Sequence, residues 1–194
     1  MAIFYLIGIP AVGKHTVAKA ISSATGAIVV DNQLVNLPIF TAIGYDGSAD
    51  FPFPVQAWRN ILAIRQQVLH AIRAYGPADG SFVFTNCLDA SDPEDPGHFD
   101  EIARLATERR DVFVPVWLTA APDELRRRIT NSDRRERLKI SDVSAVDGYV
   151  NDFQPLVVAH PNAMHIDTTR ATPAAVAERI VAEARRIEAG GSDR

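Results

Sequence analysis

Short, almost continuously apolar runs recur along this chain, separated by longer stretches in which apolar residues return every three or four positions. The runs fall at residues 3–7, 27–31, 81–86, 112–118 and 163–167, and each is rich in β-branched or aromatic residues. A strand with one wet face alternates apolar and polar residues. Runs without alternation need cover on both faces, which predicts a parallel sheet between two layers of helices. The helical period predicts helices over 14–24, 55–75, 99–108, 123–130 and 173–188. In the second of these, Trp58, Ile61, Leu62, Val68, Leu69 and Ile72 make one apolar stripe, and that stripe assigns Trp58 to the core. Thr172 followed by Pro173 is a helix-start signal, a capping hydroxyl before a residue whose missing N–H is not needed there. The alternation is expected to form one domain over 1–188, with 189–194 as a flexible tail.

The first apolar run leads straight into Gly8-Ile9-Pro10-Ala11-Val12-Gly13-Lys14-His15-Thr16, and a helix pattern follows at once. A strand, a loop opening and closing on glycine, a lysine and a helix together make the layout G-x-x-x-x-G-K-[ST]. There, backbone N–H groups and the helix N-terminus surround phosphate oxygens and the ammonium reaches the outer phosphates. The chain has only three lysines, and one stands in this slot. His15 departs from the pattern: Ser or Thr would offer Mg²⁺ a hydroxyl, which imidazole does not, and Thr16 comes one place late.

In a doubly wound sheet, ligands bind beyond the carboxyl ends of the strands. Asp31 and Asn32 follow the second run, where Asp31 is placed to take a proton from an acceptor hydroxyl or to cap the next segment. The stretch 126–139 holds Arg126, Arg127, Arg128, Arg134, Arg135, Arg137 and Lys139, among counter-charges at Asp123, Glu124, Asp133 and Glu136. Guanidinium forks suit phosphate oxygens. Arg128 and Arg135, seven residues apart, share a face if one helix continues through Asn131-Ser132, and they are the two expected to act on phosphate. No acid follows the third run until Asp89, and Asp92 and Asp95 read as loop and helix-capping residues. Mg²⁺ is therefore left to be held mostly by water and phosphate. Cys87 reads as a buried thiol, and His70, His160 and His165 show no metal-ligand spacing.

Net charge −4 and a pI near 5.7 argue against a general nucleic-acid or membrane-surface binder. A single cysteine rules out an intramolecular disulfide framework and fits the cytoplasm. No leader is expected, since no basic stretch precedes the first apolar run, and no run approaches the length of a membrane span.

The segments GIPAVGKHTVAKAI, DNQLV, LTAAPDELRRRITNSDRRERLKISD and HIDTTRATPAAVAERI resemble the P-loop small-molecule kinase group of shikimate, gluconate and nucleoside-monophosphate kinases. They look closest to bacterial proteins described as AAA-family ATPases or shikimate-kinase-like. The resemblance implies a three-layer α/β/α fold with a five-stranded parallel sheet and a small arginine-rich lid at about 126–145. It implies ATP and Mg²⁺ as cofactors, with a small-molecule acceptor as the other partner. Lys14 would hold the β- and γ-phosphates, Arg128 and Arg135 would belong to the lid, and the 167–172 loop would lie near adenine. Relatives often carry His-Asn-His after the second strand, so Asn32 is the matching position for acceptor binding. The arginine and glycine pattern of shikimate recognition is missing. The expected activity is transfer of the γ-phosphate to an acceptor among Asp31, Asn32 and a mobile 44–53 cover. The alternative is a nucleotide-binding regulatory module or an ATPase with little phosphotransfer.

Overall fold

Strand β1 (Ala2–Ile7) is buried along its whole length, and its side chains divide by parity. In the computed structural model, which describes residues 1–48 and 50–191, Phe4 and Leu6 enter one apolar cluster while Ile3, Tyr5 and Ile7 enter another. That division is what a strand covered on both sides must show. β1 pairs in parallel with β3 (Phe82–Asn86) on one side and β4 (Val112–Thr119) on the other. β2 (Ile28–Val30) and β5 (Met164–Asp167) complete the sheet, in the order β2-β3-β1-β4-β5. All five runs read from the sequence are strands, and every pairing is parallel.

On one face lie α1 (Lys14–Thr25) and α8 (Pro173–Gly191), which meet over β1 through Val17, Ala18, Ile21, Val176 and Ile180. On the other lie α3 (Val55–Tyr75) and α4 (Asp95–Arg109), which bury Leu69, Ile72, Phe99 and Ile102. Truncating one such side chain to alanine removes about 2–5 kcal/mol. Thr172 Oγ1 accepts from Ala175 N at 3.2 Å, the expected cap of α8. That helix carries on through residues 189–191, and 192–194 of the expected tail lie outside the described residues.

Three helices were not legible in the apolar period: α2 (Asn32–Ala42), α6 (Ser132–Glu136) and α7 (Ser144–Asn151). α4 also starts four residues earlier than the period suggests. The expected helix over 123–130 appears as α5 (Pro122–Ile129). Among the described residues, no helix is long and apolar enough to cross a membrane.

Candidate functional site

The β1–α1 loop leaves the sheet between β3 and β4 at its carboxyl edge, the switch point of this strand order. Gly8 N donates to Asn86 O at 3.2 Å. A Cβ on Gly8 would lie 2.4 Å from Leu118 O, so only glycine lets the chain turn out past β4. Gly13, at φ 95°, caps α1 without a side-chain hydrogen bond, and the first turn holds no acid. The N–H groups at the start of α1 thus lack a side-chain partner, the condition that makes a helix N-terminus receptive to an anion.

Lys14 Nζ donates to the loop's own carbonyls, Gly8 O at 2.5 Å and Ile9 O at 2.9 Å. No carboxylate among the described residues lies within ion-pair distance of it. Burial lowers its pKa to about 8, with Lys139 and Arg134 pushing the same way against an opposing pull from Cys87. A cation held without a counter-charge on a phosphate-shaped loop is the main electrostatic feature of the site.

Asp31 both caps a helix and gathers charge. Its Oδ1 accepts from Leu34 N at 3.2 Å at the start of α2. Its Oδ2 lies 2.6 Å from Arg137 Nη2, 2.8 Å from His15 Nδ1 and 3.7 Å from Lys139 Nζ. The imidazole is within ion-pair distance but lacks the alignment of a hydrogen bond, since Nδ1 has no hydrogen-bond partner. Burial alone would raise the Asp31 pKa; His15, Lys139 and Arg137 overcome it and bring the carboxyl down to about 2. The Lys139 pKa falls to about 8, chiefly through burial.

The segment carrying Arg137 and Lys139 is set by a helix end. After α6, Leu138 takes a left-handed conformation at φ 48°. Leu138 N donates to Arg135 O and Lys139 N to Arg134 O, at 3.0 and 2.8 Å, closing the helix in a Schellman turn. A leucine there costs about 1–2 kcal/mol of backbone strain. Its side chain offsets this by packing against Val35, Phe40 and Ile61. Gln33 Nε2 ties the turn down by donating to Arg137 O at 2.5 Å.

Arg128 stands at the opposite rim, where Nη2 donates to Thr168 O at 2.7 Å and Nη1 to Thr168 Oγ1 at 3.0 Å. Thr168 Oγ1 is in turn 2.9 Å from Val12 O. These contacts fasten the loop to the segment after β5. Arg135 is placed differently. α5 stops at Ile129 and α6 starts at Ser132, so the one-face argument, which needed an unbroken helix, fails. Arg135 is exposed and does not line the cavity, whereas Arg134, Arg137 and Lys139 do. Arg126 pairs with Asp123 and Asp147, and Arg127 with Glu124, as a solvated face.

The loop, α2, α3 and the lid surround a cavity of about 860 Å³. Pro10, Ala11, Gly13, Lys14, His15, Thr16 and Asn32 line it, whereas Gly8, Ile9, Val12 and Asp31, also expected at the site, do not. Asn32 is fixed by Thr85, whose Oγ1 accepts from Asn32 N at 3.2 Å. Gln33 and Asn36, buried polar residues of α2, also line the cavity and escaped sequence reading because α2 did. Trp58 overturns an expectation: it is 47% exposed and lines the cavity. Its end of α3 meets Phe40 of α2 and Phe53 of the 44–53 segment. Ala49, within that expected cover, lies outside the described residues. Cys87 is mostly buried and its pKa is pushed up to about 11 by burial. Asp92 accepts from Glu94 N in a loop turn, and Asp95 Oδ2 accepts from Asp89 N at 2.6 Å.

The donor set fits nucleotide phosphates and does not fit a protein-held Mg²⁺. The phosphate side has a lysine without a counter-charge and an uncapped helix start. For a metal, residue 15 offers imidazole nitrogen, the Asp31 oxygen is already taken by cations, and among the described residues no three His, Cys, Asp or Glu side chains gather.

No family model matches the chain, and no curated protein matches it. Solved structures do. A candidate kinase from Chloroflexus aurantiacus j-10-fl superposes with a TM-score of 0.66 at 15% identity, over 94% of this chain and 97% of that one. A gluconokinase from Sinorhizobium meliloti 1021 gives 0.59 at 14% identity, over 96% and 93%. The Mycobacterium tuberculosis APS kinase, solved with AMPPNP and APS, gives 0.56 at 14% identity, over 94% and 96%. The chain has the three-layer fold of the P-loop small-molecule kinase group.

Proposed function

We propose that the protein binds ATP on the Gly8–Thr16 loop and transfers its γ-phosphate to a small acceptor held beside Asn32. The observation that carries this reading is Lys14, a desolvated cation without a counter-charge, at pKa about 8, beside an uncapped helix start in a cavity with room for two ligands. The nucleotide, when bound, supplies the phosphoryl group and the ADP leaving group. Lys14 and the α1 N–H groups stabilise charge on the phosphates. Arg134, Arg137 and Lys139 add positive charge from the lid, the electrostatic work phosphoryl transfer requires. Arg128 sets the shape of the loop through Val12 and Thr168 and closes the nucleotide side. Asp31, at pKa about 2, is a weak proton acceptor; its supported role is to hold the lid cations over the phosphates while Asn32 faces the acceptor. The kinase neighbours support the class of reaction and leave the acceptor open.

Calorimetric titration with ATP tests the binding step. Wild type binds and Lys14→Ala loses binding; a protein that never binds ATP, or a variant that binds equally well, removes the proposal. A second reading, a nucleotide-binding module with little turnover, draws on two observations: His15 in the metal-ligand slot and the heavily engaged Asp31. ATP consumption measured over a metabolite panel separates them. Turnover stimulated by one acceptor supports the kinase, and flat traces with intact ATP binding support the module.

A further inference from the structure

Beside the lid, whose Leu138 packs against the cluster of Val35, Phe40 and Ile61, the cavity is walled by aromatic rings. Phe40 is the hub: its ring centroid lies 4.6 Å from Tyr45, 5.5 Å from Phe53 and 6.2 Å from Trp58, all edge-on. Phe51 joins through Tyr45 at 5.2 Å, and Phe53 lies 4.8 Å from Trp58. All five rings line the same cavity as Lys14. Packing of the 44–53 segment on α2 and α3 would account for a cluster that buries its rings. Here only Phe40 is buried, at 7% exposure, and the largest ring, Trp58, keeps 47% of its surface open. A tryptophan left half open on a cavity wall is apolar area still available to a ligand. Ser48 and Arg59 line the cavity among the rings, and three amides of α2, Asn32, Gln33 and Asn36, also line it and suit hydroxyl and carbonyl groups.

From this we infer that the acceptor is a hydroxyl-bearing compound with a planar aromatic ring system, its ring stacked on Trp58 and Phe53 and its hydroxyl toward the α2 amides. The inference rests on the kinase reading for what happens to the hydroxyl, and on the wall alone for the ring. Small polyols and sugar acids, which have no flat apolar face, would leave the wall wet and gain nothing from it.

The probes are 4-methylumbelliferyl β-D-glucoside and methyl β-D-glucoside, which share a sugar and differ in a fused ring system. Binding of each is measured by calorimetry, with and without a saturating non-hydrolysable ATP analogue. The aryl glucoside is expected to bind about ten-fold tighter. Trp58→Ala is expected to abolish that preference and Trp58→Phe to restore most of it, with affinity for the ATP analogue unchanged in both. Equal affinities for the two glucosides in wild type, or an aryl preference that survives Trp58→Ala, would overturn the inference. The two readings fail separately. Analogue binding without ring selection removes the aromatic acceptor and leaves the kinase, whereas Trp58-dependent ring selection without analogue binding does the reverse.

Discussion

Asp31 Oδ2 and Arg137 Nη2 stand 2.6 Å apart although 106 residues separate them in the chain, and this contact latches the lid to the end of β2. His15 and Lys139 crowd the same carboxylate, so its ionised form is favoured strongly in the folded protein and its pKa drops from 3.8 to about 2. A depressed carboxyl pKa contributes stability that is complete above the unfolded value and is lost as pH falls toward the folded one. Ionised Asp31, with all its partners together, should therefore add about 2 kcal/mol at neutral pH and lose it between roughly pH 4 and pH 2. Thermal melts from pH 7 to pH 2.5 will show this loss in wild type. In Asp31→Asn the neutral-pH melting temperature will be lower and that part of the acid dependence absent. Parallel acid profiles for the two proteins would mean the latch contributes nothing.

Lys14 titrates in the opposite sense. Its folded pKa, about 8, lies below the ordinary 10.5 because burial penalises the charge. Between those values the unfolded chain binds more protons than the folded one, so the lysine's penalty is relieved as pH rises through that window. A phosphate beside the ammonium favours the charged form, so nucleotide binding near pH 8.5 will take up protons. Calorimetry in buffers of different ionisation enthalpy measures that uptake directly. Lys14→Met will reduce it, weaken ATP binding by about a hundred-fold, and leave the ligand-free melting temperature unchanged or higher, because a desolvated cation without a counter-charge has been removed. A lower ligand-free melting temperature would contradict the account of this lysine.

Arg128 and Arg135 make a matched pair for testing the lid. Arg128→Ala removes the donor to Thr168 O and leaves that acceptor short of a partner, which costs about 1–3 kcal/mol. It also loosens Val12, so ATP affinity falls with stability. Arg135→Ala, on an exposed surface, will change stability by less than about 0.5 kcal/mol and leave ATP affinity alone. Denaturant unfolding and ATP titration of both variants decide it, and equal losses would put Arg135 back at the site.

The sheet and the phosphate loop could be read from sequence because both are local. An unbroken apolar run needs two covered faces, and Gly8, Gly13 and Lys14 are consecutive parts of one turn. The lid could not be read that way. Its inward cations, Arg137 and Lys139, are selected by the break between α5 and α6 and by Leu138 in a left-handed turn, and no periodicity announces either. α2 was hidden for a different reason: Pro38 lies inside it, and its apolar residues Val35 and Phe40 face a small cluster away from the sheet. Trp58 sits on the helical stripe read from the sequence, but the stripe there faces the cavity and leaves Trp58 47% exposed, so the period was correct and the burial was not. The one available signal was compositional, five aromatic residues within 40–58.

His15 occupies the position where a hydroxyl would serve a magnesium ion, and its Nδ1 lies 2.8 Å from Asp31 Oδ2 without the alignment of a hydrogen bond. Imidazole is a poor ligand for so hard a cation, and the carboxylate beside it is held by Arg137 and Lys139. The protein should therefore add little to metal binding beyond what phosphate and water provide. Chelation with EDTA is expected to change the affinity of wild type for an ATP analogue by less than about three-fold, around 0.6 kcal/mol. His15→Ser places an oxygen where the imidazole was and removes the imidazole from beside Asp31. In that variant Mg²⁺ should tighten analogue binding by about ten-fold, while affinity in EDTA stays near the wild-type value. Titrations of both proteins with and without Mg²⁺ make the comparison. A strong magnesium dependence in wild type, or none gained in His15→Ser, would show that residue 15 does not set the metal requirement.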